Sequence, residues 1–452
     1  MRWRLVALGA TLAVVAGSGA AYVVLRGDGT SHGTPAIATP TPQPVRSPAL
    51  ATLAATAPSP TRAGLMRQLR RAAAAPQLGG ALAGLVVDAA TGQPLFVRRP
   101  DVALPPASTT KLLTAIAALE TLGPDATLTT SVVRSGRTLY LVGGGDVTLA
   151  AAARKGYPAP ATLADLAART ASAVEGTRFR VRYDDTLWQG PSTGAGWPPT
   201  YVSGGNVAPV SALEVDEGRL TGFTSLHPQP RVADPARAAA TAFESALASA
   251  GVRVSGGVGR AQAPKLAPVA SVSSPPVSAL VQRMLTDSDN DLAEALARMT
   301  AVRVGQPATF TGAARTVTAV LAHDGLPTAS TRLFDGSGLS PLDRVTPRLL
   351  VSALGLVASR AQLRPIVAGL PVAGFSGTLA DRYRNRLSRD GAGVVRAKTG
   401  TLAGVNTLAG TVTDADGRLL LFAFLTDRAA DPDSTEAALD RLAAALADCG
   451  CR

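Results

Sequence analysis

Three short strings in this chain carry side chains that together can make and break an acyl bond. The first is Ser108-Thr109-Thr110-Lys111. A spacing of three puts the hydroxyl and the amine on one face of a helix, where the amine can take the hydroxyl proton and leave an alkoxide to attack a carbonyl. An amine does this only once it has lost its own proton, which burial or a second cation promotes. The second string is Ser288-Asp289-Asn290, and residues two apart on a helix face opposite ways, so a shared role needs a turn. The third is Lys398-Thr399-Gly400-Thr401, following Val394 and Val395. Strand alternation puts Lys398 and Gly400 on one side, and glycine lets another backbone approach closely. Each string also has a plain structural reading: a capping serine with a surface lysine, a helix N-cap, and an ordinary strand end. The chain has only four lysines, Lys111, Lys155, Lys265 and Lys398, among 44 basic residues, and two of them fall in these strings.

The elements that must position these groups follow from pattern. Pro105 and Pro106 stop the preceding segment, and Leu112, Leu113, Ile116, Leu119 and Leu122 continue as an apolar helix ending at Gly123. Ser108 then lies in its first turn, where free backbone N–H groups suit an oxyanion. Helical patterns over 280–285 and 292–299 flank the second string. Before the first string, a helix over 62–75 leads to strands at 83–87 and 95–97 about an Ala90-Thr91-Gly92 turn. After the third, β-rich runs at 406–413 and 418–426 are followed by an Ala/Leu helix over 434–447. The two ends form one α+β unit, an antiparallel sheet flanked by helices. Between them, residues 126–270 give short β-like stretches such as 138–142 and 178–183, broken by Gly and Pro. These predict a large, mostly β insertion between the first and second strings, with the main domain formed by 63–125 and 271–452.

Composition limits the setting. With 452 residues, 46% hydrophobic and 17% charged, the chain has material for a real core. A net charge of +12 suggests an anionic neighbour without choosing one. Leu5 to Leu25 is an uncharged run between Arg4 and Arg26, long enough to cross a bilayer, and the positive-inside rule places everything after residue 26 outside the cytoplasm. The run is long for a signal peptide, although the small residues 16–20 offer a cleavage site; residues 1–26 are read as an anchor, with a cleaved signal as the alternative. Residues 27–62, rich in Pro, Thr, Ser and Ala, form a spacer. Nucleic acid is not an expected partner there. Cys449 and Cys451, separated by one glycine, make at most a tight local staple, and without a nearby histidine they do not make a zinc site. His32, His227 and His323 are scattered, which argues against a Ser-His-Asp triad. Gly143 to Gly145 lacks the following Lys-Ser/Thr of a phosphate loop and reads as a turn.

In this chain order S-x-x-K, S-D-N and K-T-G resemble the signature of class A β-lactamases and penicillin-binding proteins. More narrowly, the chain is similar to the low-molecular-mass D-alanyl-D-alanine carboxypeptidase/endopeptidase family. Leu139 to Leu149 looks like that family's G-G-G-D-P-T-L stretch, and Ala208 to Leu213 like its A-P-(V/I)-S-A-L; Asp335 to Ser340 and Ser376 to Leu379 also resemble its landmarks. Val147 and Pro341 depart from it, outside the three motifs. The resemblance implies a serine DD-peptidase fold, with Ser108 as nucleophile, Lys111 as base and Ser288 as proton relay. It also implies that Asn290, Lys398, Thr399, Gly400 and Thr401 bind substrate, with the N–H groups of Ser108 and Thr401 as oxyanion hole and the Lys398 charge keeping Lys111 neutral. No metal or organic cofactor is implied. The partners implied are peptidoglycan peptides ending in D-Ala-D-Ala, with β-lactams as inhibitors. The 180 residues between Ser108 and Ser288, and the lack of an E-x-x-L-N segment, weigh against the alternative of a β-lactamase. The intact triplet weighs against an idle penicillin-binding scaffold. The balance between carboxypeptidase and DD-endopeptidase work is left open.

Overall fold

In the computed structural model, residues 57–79, 82–156, 158–175, 178–220, 229–429 and 431–451 are described. The expected anchor, most of the spacer, His32 and His227 lie outside them. The described chain opens with α1 (Arg62–Ala73), β1 (Ala83–Asp88), β2 (Pro94–Arg98) and α2 (Thr110–Leu122). Next come β3 (Thr129–Ser135), β4 (Thr138–Val142), α3 (Leu163–Ala173), β5 (Arg180–Asp184), α4 (Thr200–Ser203), α5 (Pro235–Ser249), β6 (Gly259–Arg260) and β7 (Pro268–Ser273). A helical run follows: α6 (Val277–Thr286), α7 (Asn290–Arg303), α8 (Phe310–His323), α9 (Pro347–Ser359) and α10 (Arg364–Gly369). The chain closes with β8 (Val395–Leu402), β9 (Val405–Thr413), β10 (Leu419–Asp427) and α11 (Pro432–Ala447). Among the described residues no single helix is long and apolar enough to cross a membrane.

The two ends of the chain build one antiparallel sheet in the order β2-β1-β10-β9-β8. Its central strand β10 is apolar from Leu419 to Leu425 because both faces are covered. Along β10, Leu421, Ala423 and Leu425 point into a core with α2, α6, α7, α8 and α9, while Leu420, Phe422 and Phe424 point into a second core with α1 and α11. The buried pair Arg418–Asp88, at 2.8 Å, ties the start of β10 to the end of β1. Cys449 and Cys451 form a disulfide, and the Cys451 carbonyl accepts from the Thr61 N–H at 2.7 Å, which holds the C-terminus against the start of α1. α2 is buried from Thr110 to Leu119, so Lys111 lies inside the molecule rather than on its surface.

The inserted stretch differs from its expectation. It does contain a sheet, ordered β6-β5-β4-β3-β7, but β4–β5 and β5–β6 pair in parallel. Parallel neighbours need crossover connections. α3 and α5 supply them and pack on the sheet through Leu163, Leu166, Phe243 and Leu247, so the insertion is mixed α/β rather than mostly β. Thr162 and Asp234 cap these two helices, and Pro235 sits at a helix start, where its fixed φ is favourable. β7 pairs with β3 and carries the inserted sheet to Ser273, past the expected limit at 270.

Candidate active site

Ser108 stands in a single 3-10 turn, Ala107–Thr109, immediately before α2, and not within the α-helix itself. Ala107 takes a left-handed φ of 47°, a strained conformation for a residue with a side chain. The turn is fixed from several sides. Thr109 Oγ1 donates to the Pro106 carbonyl at 2.6 Å, and Thr407 Oγ1 on β9 donates to the same oxygen at 2.8 Å. Gly400 passes so close that a Cβ there would lie 2.9 Å from both Ser108 N and Pro106 O. Glycine is required at position 400 to let the turn meet β8, and Gly338 similarly leaves room for the Ala107 carbonyl.

Lys111 is fully buried, and its Nζ donates to Ser108 Oγ at 3.0 Å, Asn290 Oδ1 at 2.6 Å and the Ser337 carbonyl at 2.8 Å. Burial pushes its pKa down to about 8, against the opposing pull of the Asp335, Glu294, Asp289 and Asp291 carboxylates. The carbonyl that holds it is itself held. Glu294 accepts from the N–H groups of Gly336 and Ser337, Asp335 accepts from those of Gly338 and Ser340, and Thr114 Oγ1 donates to the Gly336 carbonyl. The Trp197 indole, from the inserted stretch, donates to Asp335 at 2.7 Å.

Ser288 and Asn290 sit in the break between α6 and α7. Ser288 has a left-handed φ of 57°, which breaks the helical path between the two residues. The plain N-cap reading also holds in part: Asp289 is the cap, its carboxylate accepting from Leu292 N at 2.9 Å. Asn290 faces Lys111 through its oxygen and donates its amide to the Asn206 carbonyl at 2.8 Å. Ser288 is half-buried, and its hydroxyl has no hydrogen bond to a described residue.

On β8, Lys398 is fully buried and donates to the Thr399 carbonyl at 2.9 Å. Its pKa lies well below the ordinary lysine value, first through burial and then through repulsion from Lys111 and Arg382. Repulsion between two amines is reciprocal and falls on whichever loses its proton first. Burial is the first cause of the lowered pKa at both amines. Thr399 shares a hydroxyl contact of 2.8 Å with Thr378, and Thr401 is exposed at the strand end. Ala397 N donates away from β9, to the Pro371 carbonyl at 3.0 Å, so alternation turns the N–H groups of Thr399 and Thr401 toward the same outer edge.

The structure therefore brings Ser108, Lys111 and Asn290 into direct contact and lays Gly400 against the Ser108 turn. Sequence reasoning assigned no role to Ser337, Glu294, Asp335, Thr378 or Trp197. Asp335 to Ser340 and Ser376 to Leu379 stood out only as stretches resembling a family. Glu217, Asp289 and Asp291 bring carboxylate oxygens within 4.8 Å of one another, a grouping that can suit a metal. Arginines already occupy it: Arg219 and Arg283 bind Glu217, Arg283 binds Asp289 at 3.0 Å, and Arg231 binds Asp291 at 3.0 Å. His323 ends α8 in an exposed position.

This sheet, with its serine–lysine contact at the edge, is that of the DD-peptidases, and the chain belongs to the D-Ala-D-Ala carboxypeptidase 3 (S13) family, whose profile matches residues 65–229 and 223–446. It is 38% identical over 384 residues to carboxypeptidase DacB of Mycolicibacterium smegmatis, covering 82% of this chain and 81% of that one. It is 32% identical over 425 residues to a D-alanyl-D-alanine carboxypeptidase of an Actinomadura species, covering 76% and 77%. The crystal structure of penicillin binding protein 4 from Haemophilus influenzae shares the fold, with a TM-score of 0.70, 21% identity, and coverage of 83% of this chain and 97% of that chain. Peptidoglycan, on which this family acts, places the chain's work outside the cytoplasm.

Proposed function

We propose that the chain is a serine-type D-Ala-D-Ala carboxypeptidase that works through an ester on Ser108. The observation that carries this reading is the buried Lys111 amine, 3.0 Å from Ser108 Oγ, with its pKa lowered to about 8. Neutral Lys111 takes the Ser108 proton as Oγ bonds to the carbonyl carbon of the penultimate D-Ala. The N–H groups of Ser108 and Thr401 receive the developing oxyanion. The C–N bond then breaks, the leaving amine of the terminal D-Ala receives a proton relayed through Ser288, and water hydrolyses the ester. Asn290 orients Lys111 and binds a substrate amide. The substrate's terminal carboxylate meets Thr399, Thr401 and the Lys398 site, and its backbone lies along the outer edge of β8. The strained, partly buried seat of Ser108 is fitted to an acyl donor in extended form, which a β-lactam imitates; a homologous fold in Haemophilus influenzae has been solved with a bound β-lactam. Residues 1–26 anchor this head to the membrane, residues 27–62 tether it, and the inserted stretch forms an accessory module.

The test is labelling of the full chain by a fluorescent penicillin, together with release of D-Ala from an acyl-D-Ala-D-Ala peptide. Both are expected for the natural chain and neither for Ser108→Ala. Labelling without D-Ala release would shift the reading to endopeptidase work on cross-links, and rapid turnover of the penicillin would make it a β-lactamase.

A further inference from the structure

The edge of the main sheet opposite the active site has its own chemistry. Four strand spacings, roughly 19 Å, separate β2 from β8. α1, packed beside β2, carries Arg62, Arg67, Arg70 and Arg71 and no acidic residue. All four are exposed, and none is ion-paired with a described residue. Between α1 and β2 runs a groove of about 810 Å³ floored by Leu69, Phe96 and Val97, with Arg67 and Arg70 along it. Met66 and Val97 remain 43% and 37% exposed beside those arginines.

We propose that this face docks on a bilayer of anionic phospholipid. Arginines alternating with exposed apolar side chains match an interface where phosphates meet acyl chains. A hydrated acidic polymer would use the arginines and leave Met66 and Val97 with nothing to cover them. Connectivity points the same way, since the described chain enters α1 directly from the segment that the spacer and the Leu5–Leu25 run precede. The inference rests in part on reading that run as an anchor. Docking through α1 and β2 would turn β8 and Ser108 away from the bilayer, toward the wall.

The full chain, incorporated into nanodiscs of phosphatidylcholine with or without phosphatidylglycerol, provides the test through amide hydrogen exchange. The amides of α1 and β2 are expected to exchange more slowly in the anionic discs. High salt should reverse this, and Arg67→Gln or Arg70→Gln should each weaken docking by about fivefold. Penicillin labelling serves as the folding control and stays unchanged in both variants. Equal exchange in the two disc types overturns the proposal. Protection produced by soluble polyglutamate in the neutral discs also overturns it and assigns the face to an acidic polymer. Co-flotation with the discs reports the anchor separately. If the chain does not float, phosphatidylglycerol vesicles added to it must still protect α1 and β2, and their failure to do so is a contradiction.

Discussion

The two five-stranded sheets of this molecule divide the labour unequally. The antiparallel sheet is covered by helices on both faces, and the reactive groups gather at its β8 edge, where Gly400 meets the Ser108 turn. The inserted sheet builds a core of its own around Phe243 and Val181. The inserted stretch also reaches the site: the Asn206 carbonyl accepts from Asn290, the Trp197 indole donates to Asp335, the Ala195 carbonyl accepts from the Ser340 hydroxyl, and Glu217 and Arg231 pair with Arg283 and Asp291. Doubly covered strands fix backbone positions to the precision that acyl transfer needs, and an insertion can be added beside them so long as its contacts hold the site groups in place.

Changes that respect this division should have graded effects on penicillin acylation. Gly400→Ala should have the largest among them, because its methyl collides with the Ser108 turn, and about a hundredfold slower acylation is expected in stopped-flow measurements. A rate within twofold of the natural chain would mean that the turn and β8 are not in register. Trp197→Phe preserves the ring packing on Phe310, at 5.3 Å between centroids, and removes only the donor to Asp335. A loss of about three- to tenfold is expected, since one hydrogen bond to a carboxylate supports the loop that holds Lys111. Phe243→Ala, in the inserted core, should leave acylation of the folded protein within about twofold while lowering stability by about 3–5 kcal/mol in urea unfolding. A large loss of acylation in that variant would merge the two regions into one functional unit.

The main sheet was readable because its signals are local and repeated: β-rich runs for β9 and β10, a hairpin turn at Ala90 to Gly92, and prolines before α2. Ser108 and Lys111 were readable because few lysines exist to be placed. The insertion was misread because Gly and Pro break its short strands, while α3 and α5 are built largely from alanine, which favours helix but marks an apolar face weakly. Their caps, Thr162 and Asp234-Pro235, were the available signal. The grip on Lys111 was hidden for another reason. Its acceptor is the backbone carbonyl of Ser337, and no side-chain identity at that position reports where a carbonyl points.

The central claim is that Lys111 activates Ser108 as a neutral amine. The pH dependence of the penicillin acylation rate tests it most directly. A folded-state pKa of about 8 leaves about one molecule in ten competent at pH 7. The rate should therefore rise about tenfold per pH unit below that value and level off above it, and Lys111→Ala should lie about a thousandfold lower with the inflection gone. A profile that is flat from pH 6 to pH 9, or one that keeps its inflection in Lys111→Ala, would contradict the account.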